Sequence, residues 1–205
     1  MKARSLLALT LTLAAATACS EADTDAGATL LPAGLELKEG DVVLRRGEGL
    51  VSRLVLLADR HGRFSHAGIV VDSGGVPMVI HAVPGEPDFP GDVDRVKLET
   101  PAQFFAAGRA TRGEVMRPHS AAAGRRAARA AWHAYRRGAR FDHHYDDRDT
   151  LDLYCTELVL HAYRRAGWPL LADSVAPRRL LPDAYHCFLP LDLERSPRLR
   201  TVQTF

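Results

Sequence analysis

Three cysteines, Cys19, Cys155 and Cys187, and a few histidines carry the chemistry open to this chain of 205 residues. Cys155 stands in "LYCTELV", where a polar loop gives way to a helical pattern. From it, apolar or small side chains recur at 155, 158, 159, 162, 163 and 166, with Gly167 as a stop. The spacing predicts a helix with Cys155 in its first turn, on the inner face. A thiol there meets unpaired N–H groups and the positive end of the helix dipole, which favour the thiolate. The same N–H groups can hold the oxyanion of a tetrahedral intermediate. A cysteine hydrolase needs, in addition, an imidazole as base and a polar group to orient it.

Two imidazoles come from one predicted hairpin. The β-branched runs 67–71 and 76–83 flank Asp72-Ser73-Gly74-Gly75, with His66 opening the first run and His81 near the end of the second. Pairing through a turn at 73–74 sets residues whose numbers sum to 147 opposite each other, and 66 plus 81 is 147. One imidazole would then hydrogen-bond the other and fix its tautomer. Plainer readings stand beside this one: a packed small hydrophobe at 155, a Cys155–Cys187 disulfide, and histidines that only hold strand ends.

The elements that must position these residues follow from local pattern. "GDVVL" reads as a turn and a strand, and residues 50–62 as an amphipathic helix. "DRVKLE" and "GEVMRP" read as further strands. "TPAQFF" supplies Thr100 as N-cap, Pro101 at the first helical position and Gln103 to close a capping box. Residues 120–138 form an Ala/Arg-rich helix. Strands and hairpin precede helices, so the fold class is α+β around an antiparallel sheet. The length and 46% hydrophobic content suit one packed domain.

The N-terminus "MKARSLLALTLTLAAATACS" has a positive start, an apolar stretch and a small-residue cleavage site, which together read as a secretory signal over residues 1–18. Cys19 follows in a context that resembles a bacterial lipobox, so lipidation there is the expectation, with outer-membrane attachment facing the periplasm and plain secretion as the alternative. Residues 19–36 read as a lipidated, flexible tether and 37–205 as the domain. The net charge of +2 falls to near zero once Lys2 and Arg4 are cut away (+2 minus 2), which argues against nucleic acid as a partner. The arginines of the helix over 120–138 read as a solvated face, with anionic lipid headgroups as the alternative contact. "FDHHYDD" offers metal-ligating types, but adjacent residues in one loop rarely aim at one centre, and no metal is expected.

"GDVVLRRG", "FSHAGIVV", "VIHA" and "YCTELVLHAYRRAG" in this order resemble the permuted papain-like cysteine amidases, the YiiX/YaeF-like branch of the NlpC-type cysteine hydrolases, over residues 38–190. The resemblance implies a circularly permuted papain-like fold, in which the histidine strands precede the nucleophile helix. It implies Cys155 as nucleophile, His66 as base and His81 in the third polar position, where many relatives carry glutamate. Tyr154 and Ser65 are expected to line the site or the oxyanion hole, while Asp41 is expected to be structural. The implied reaction is hydrolysis of an amide or ester through a thioester, without a cofactor, by a monomer. A peptidoglycan stem peptide or an acyl or lipid compound would be the substrate. A catalytically silent envelope scaffold is the alternative.

Overall fold

The computed structural model describes residues 28–59, 61–146, 148–179 and 186–205. Its first half contains β1 (Val42–Arg46), α1 (Leu50–Ala58), β2 (His66–Ser73), β3 (Val76–Val83), β4 (Arg95–Glu99) and α2 (Pro101–Phe104). Then come β5 (Arg112–Pro118), α3 (Ala121–Arg136), α4 (Cys155–Arg165), the short pair β6 (Arg178–Arg179) and β7 (His186–Cys187), α5 (Pro190–Glu194) and β8 (Leu199–Thr204). Six strands make one antiparallel sheet in the order β4-β3-β2-β1-β5-β8. The protein is thus an α+β fold, with the expected strands and helices close to their expected places. The helix starting at Leu50 stops at Ala58, short of Gly62. The C-terminal strand β8 carries no clear apolar alternation and emerges only as an edge partner of β5.

Both faces of the central strands are covered, which is why they read as continuous apolar runs. On one face Leu44, Ala67, Ile69, Val71 and Ile80 pack against Ala127, Ala131, Leu158, Val159 and Tyr163 of α3 and α4. On the other, Val43, Val70, Val79 and Val115 meet Phe104 and Phe105. Leu31, Leu35 and Leu37 add to this second cluster, and Leu30 N–H donates to the Phe105 carbonyl at 2.9 Å. Residues 28–36, expected as the far part of the tether, therefore lie along the sheet, because Leu31 and Leu35, with Leu37 just after them, gain more from burial than a free tether would keep. The signal over 1–18 and Cys19 lie outside the described residues. Among the described residues, no helix is long and apolar enough to cross a membrane.

Small residues let α3 approach closely. Its buried face is Ala123, Gly124, Ala127, Ala128, Ala131 and Ala134. Gly124 sits against Gly40, whose φ of +90° suits glycine, and a Cβ on Gly40 would stand 2.3 Å from the Gly124 Cα. Tyr163 of α4 donates its hydroxyl to the Gly40 carbonyl. Next in sequence, buried Asp41 accepts from the Lys38 N–H at 2.8 Å and from both ends of the Arg117 fork at 2.8 and 2.7 Å. The Gly-Asp pair is thus where both helices and β5 are tied to the start of β1.

The hairpin forms, but in a different register. Gly74 and Gly75 both take positive φ, +67° and +89°, and Ser73 pairs with Val76. That is the tight two-residue turn that matches strand twist. It is centred on 74–75 rather than 73–74, so paired numbers sum to 149, as in Ile69 with Ile80. His81 therefore does not stand directly opposite His66. The shift is two residues, an even number, so both imidazoles keep the same sheet face.

Gly40→Ala should cost about 3 kcal/mol, from the strained φ and the collision with helix backbone. In thermal unfolding that is a fall of roughly 6–12 °C for a domain of this size. A Tm within about 2 °C of wild type would contradict the tie point.

Candidate active site

Cys155 is the first residue of α4, and Glu157 in the same turn accepts the Tyr154 N–H at 3.3 Å. The helix therefore starts where the thiol lies, and α4 packs across β2. The registered β2–β3 ladder runs only from Ile69–Ile80 to Ser73–Val76. Beyond it the strands part, and the main-chain N–H of Ala67 turns to the Cys155 thiol. The Thr156 N–H and hydroxyl also face the sulfur, the latter at 3.8 Å. Cys155 and Cys187 both carry thiols rather than a disulfide.

The two histidines meet on the face that bears Phe104. His66 Nε2 and His81 Nδ1 lie 2.9 Å apart, with the rings edge to face and the His66 ring stacked on Phe104. His81 is wholly buried, whereas His66 keeps 7% exposure. Gly68 allows this approach, since a Cβ there would stand 2.7 Å from Val79 Cγ1 and 3.3 Å from His81 Cβ. On the far side, His81 Nε2 lies 3.2 Å from Glu99 Oε2, close enough for an ion pair but off the line of a good hydrogen bond. The partners assign the tautomers: an ionised carboxylate can only accept, so His81 keeps its proton on Nε2, His81 Nδ1 accepts and His66 Nε2 donates. That leaves His66 Nδ1 with its lone pair and no hydrogen-bond partner among the described residues.

Glu99 belongs to a buried charged network that the pattern of apolar runs does not disclose. Arg109 reaches it at 2.9 Å and Lys97 at 3.5 Å. Lys97, almost fully buried, also meets Asp88 at 2.6 Å. Arg45 binds Glu86, donates to the Phe104 carbonyl at 2.8 Å and lies over the Phe104 ring. The segment around Glu86 and Asp88 is thus pinned against the histidine end of the hairpin. The one sequence signal was "DRVKLE", in which Lys97 and Glu99 share a face that an apolar core would not tolerate unpaired.

The electrostatics favour neutral reactants at rest. Burial holds the His66 imidazole well below its usual pKa, and Arg45 and His81 add to that. Burial likewise lowers His81, against the pull of Glu99. Burial would raise Glu99, yet His81, Arg109 and Lys97 together hold it far below the carboxylate range. For Cys155, burial pushes the thiol up, while the N–H groups of Ala67 and Thr156 and the charge of Arg45 oppose it. The helix start was expected to lower this pKa. Desolvation outweighs it, because the sulfur is enclosed by protein atoms although the residue as a whole is partly exposed.

The flanking residues occupy other positions. Ser65 Oγ accepts the Gly47 N–H at 2.9 Å and joins β1 to β2. Tyr154 is buried and its hydroxyl accepts the Phe188 N–H at 3.0 Å. Tyr145, unremarked in the sequence, is beside the site: its ring is 5.5 Å from that of Tyr154, and its hydroxyl pKa is pushed up by burial and by Cys155 and Cys187. It alone among the described non-glycine residues has positive φ, 54°. The Asp142 carboxylate shapes this loop by accepting the N–H groups of His144 and Asp146 at 2.8 and 2.5 Å. Among the described residues, no three His, Cys, Asp or Glu side chains converge as metal ligands.

This arrangement has a counterpart among solved structures. The crystal structure of metalloprotein YiiX from Escherichia coli O157:H7 superposes with a TM-score of 0.64, covering 83% of this chain and 99% of that one, at 21% identity. The chain shares its fold with YiiX. No family model matches the sequence. No curated protein matches it either.

Because folding depresses both histidines, the unfolded chain binds more protons than the folded one as pH falls below about 6.5. Stability should therefore be fully present above that pH and decline on acidification. Thermal unfolding from pH 7.5 to 5 should show a smaller decline for His66→Gln than for wild type. Equal slopes would mean that His66 is not held neutral.

Proposed function

We propose that the protein is a thiol-dependent hydrolase of amide or ester bonds with a permuted papain-like fold. The observation that carries this reading is the ordered line Glu99–His81–His66, which leaves one basic nitrogen on the partly exposed ring, with a helix-start thiol beside the neighbouring residue Ala67. His66 Nδ1 takes the thiol proton as Cys155 sulfur attacks the carbonyl carbon. The N–H groups of Ala67 and Thr156, which turn to the sulfur, would donate to the oxyanion. The intermediate collapses when His66 returns the proton to the leaving amine or alcohol, which leaves a thioester. Water then gives a proton to His66 and attacks the thioester, and the departing sulfur is reprotonated. Because thiol and imidazole are both neutral at rest, proton transfer accompanies attack rather than preceding it.

The substrate class is an acyl compound of the cell envelope, either a peptidoglycan stem peptide or a lipid-linked acyl group, met by a protein tethered through lipidated Cys19. YiiX is described as a metalloprotein. The donor set here does not fit a metal: His66 Nε2 and His81 Nδ1 face each other at 2.9 Å, whereas ligand nitrogens must both aim at one ion about 2.0–2.1 Å away. No step is routed through one. A silent envelope scaffold is favoured by one observation, that the thiol contacts Ala67 and Thr156 and no contact joins it to His66.

Iodoacetamide labelling of Cys155 across pH separates the two. For the hydrolase, wild type should label measurably at pH 7 and faster as pH rises past about 8.5, the ordinary thiol value. His66→Ala should be slower by about a hundredfold at pH 7, at the low end of general-base contributions, and converge with wild type at high pH. Identical profiles for both proteins would favour the scaffold.

A further inference from the structure

Away from the thiol, α3 and α4 share a groove of about 470 Å³ lined by Arg129, His133 and Arg137 from α3 and its end, His161 and Arg165 from α4, and Thr150 and Leu151 between them. The pattern is helical: 129 and 133, and 161 and 165, are each four residues apart, so two rows of basic side chains, each with one arginine, line the groove. Among the described residues, no carboxylate lines the groove. Asp149 and Asp152 line a separate hollow on the other side of Leu151. Arg137 is spent in part on the loop, donating to the Leu151 carbonyl at 2.6 Å and to that of Thr150. Arg129, His133 and Arg165 make no salt bridge or side-chain hydrogen bond within the described residues.

Charges of one sign gathered without a counter-charge cost free energy unless an anion is bound there. The groove shows that cost: the His161 imidazole is held below its usual pKa by burial and then by Arg165, Arg137, Arg164 and His133. Several other arginines of the same two helices have found partners. Arg126 donates to the Ala166 carbonyl at 2.9 Å, and Arg136 lies over the Trp132 ring. Arg125 also faces outward but lies outside the groove, so the groove is where unpartnered arginines of both helices gather.

We propose that the α3–α4 groove is a binding site for a phosphate group, with Arg129 and Arg165 as its principal donors, His133 and His161 as secondary ones, and the Arg137 charge behind them. Guanidinium forks suit phosphate oxygens, which take two parallel N–H bonds from each. The phosphate can belong to a soluble phosphate ester or to a lipid headgroup, and the two sources differ in what the protein binds in solution. The site does not depend on thiol chemistry, and Cys155→Ser should leave it intact.

The test uses two probes on the protein and on two variants of equal charge change. One removes groove cations, Arg129→Gln with Arg165→Gln. The other removes exposed arginines outside the groove, Arg125→Gln with Arg200→Gln. Calorimetry with inorganic pyrophosphate reads a soluble phosphate. Flotation with phosphatidylcholine vesicles, with and without phosphatidic acid, reads a headgroup. The groove variant should weaken binding of at least one probe by about tenfold or more, the loss of one charge-assisted hydrogen bond, while the control stays near wild type. Loss with pyrophosphate identifies a soluble ester, and loss confined to phosphatidic acid vesicles identifies a headgroup. Equal weakening in both variants, or no binding of either probe, would overturn the proposal.

Discussion

A single buried carboxylate sets the direction of everything at the centre of this protein. Glu99, 3.2 Å from His81 Nε2, decides which nitrogen of His81 carries the proton, and His81 in turn decides for His66. An isolated carboxylate at that depth would protonate instead of staying charged. Arg109 and Lys97 prevent this, and Lys97 is held by Asp88. The ion network is therefore less a source of stability than the device that keeps Glu99 ionised. Buried pairs of this kind contribute little net free energy when intact but cost about 3–5 kcal/mol when one partner is lost.

The backbone meets the same site from the other side. Because the β2–β3 ladder opens beyond Ile69–Ile80, the Ala67 N–H is available to the thiol instead of to a strand partner. Gly68, one residue on, lets β3 bring His81 close. Three consecutive residues, His66, Ala67 and Gly68, thus supply an imidazole, an N–H donor and the space for the second imidazole. Alternation along β2 explains how: His66 joins Phe104 on one face, while Ala67 packs under α4 on the other. The strand end is where both faces are reachable, as the proposed reaction between a helix-borne thiol and a sheet-borne histidine requires.

Much of this frame was legible in the sequence because it rests on local physics. The 3.6-residue pattern after Cys155, the capping box at Thr100–Gln103 and the Ala/Arg-rich helix that follows residue 120 each state their own geometry. The hairpin was legible too, but not its register, which hinged on whether one or both glycines took positive φ. Glu99, Arg45 and Lys97 were hidden because a charged residue in a strand looks solvent-facing until its partners, far away in sequence, are known. The thiol pKa was misjudged for a related reason: the helix start is visible in sequence, but the desolvation that outweighs it is a property of the whole packing. Residues 28–36 look like a linker by composition, and only three spaced leucines mark their attachment. The likeness to YiiX was legible in a few short motifs around His66, His81 and Cys155, and the fold bears it out although overall identity is only 21%.

The ordering of protons along Glu99, His81 and His66 is the central claim, and imidazole nitrogen NMR reads it directly. Long-range proton–nitrogen correlation spectra at pH 7 should show both histidines neutral and protonated at Nε2, with His66 Nδ1 bare. In Glu99→Gln the His81 pattern should change and the His66 pattern with it. A His66 protonated at Nδ1, or fully charged at pH 7, would contradict the account, because the ring could not then accept a proton from the thiol.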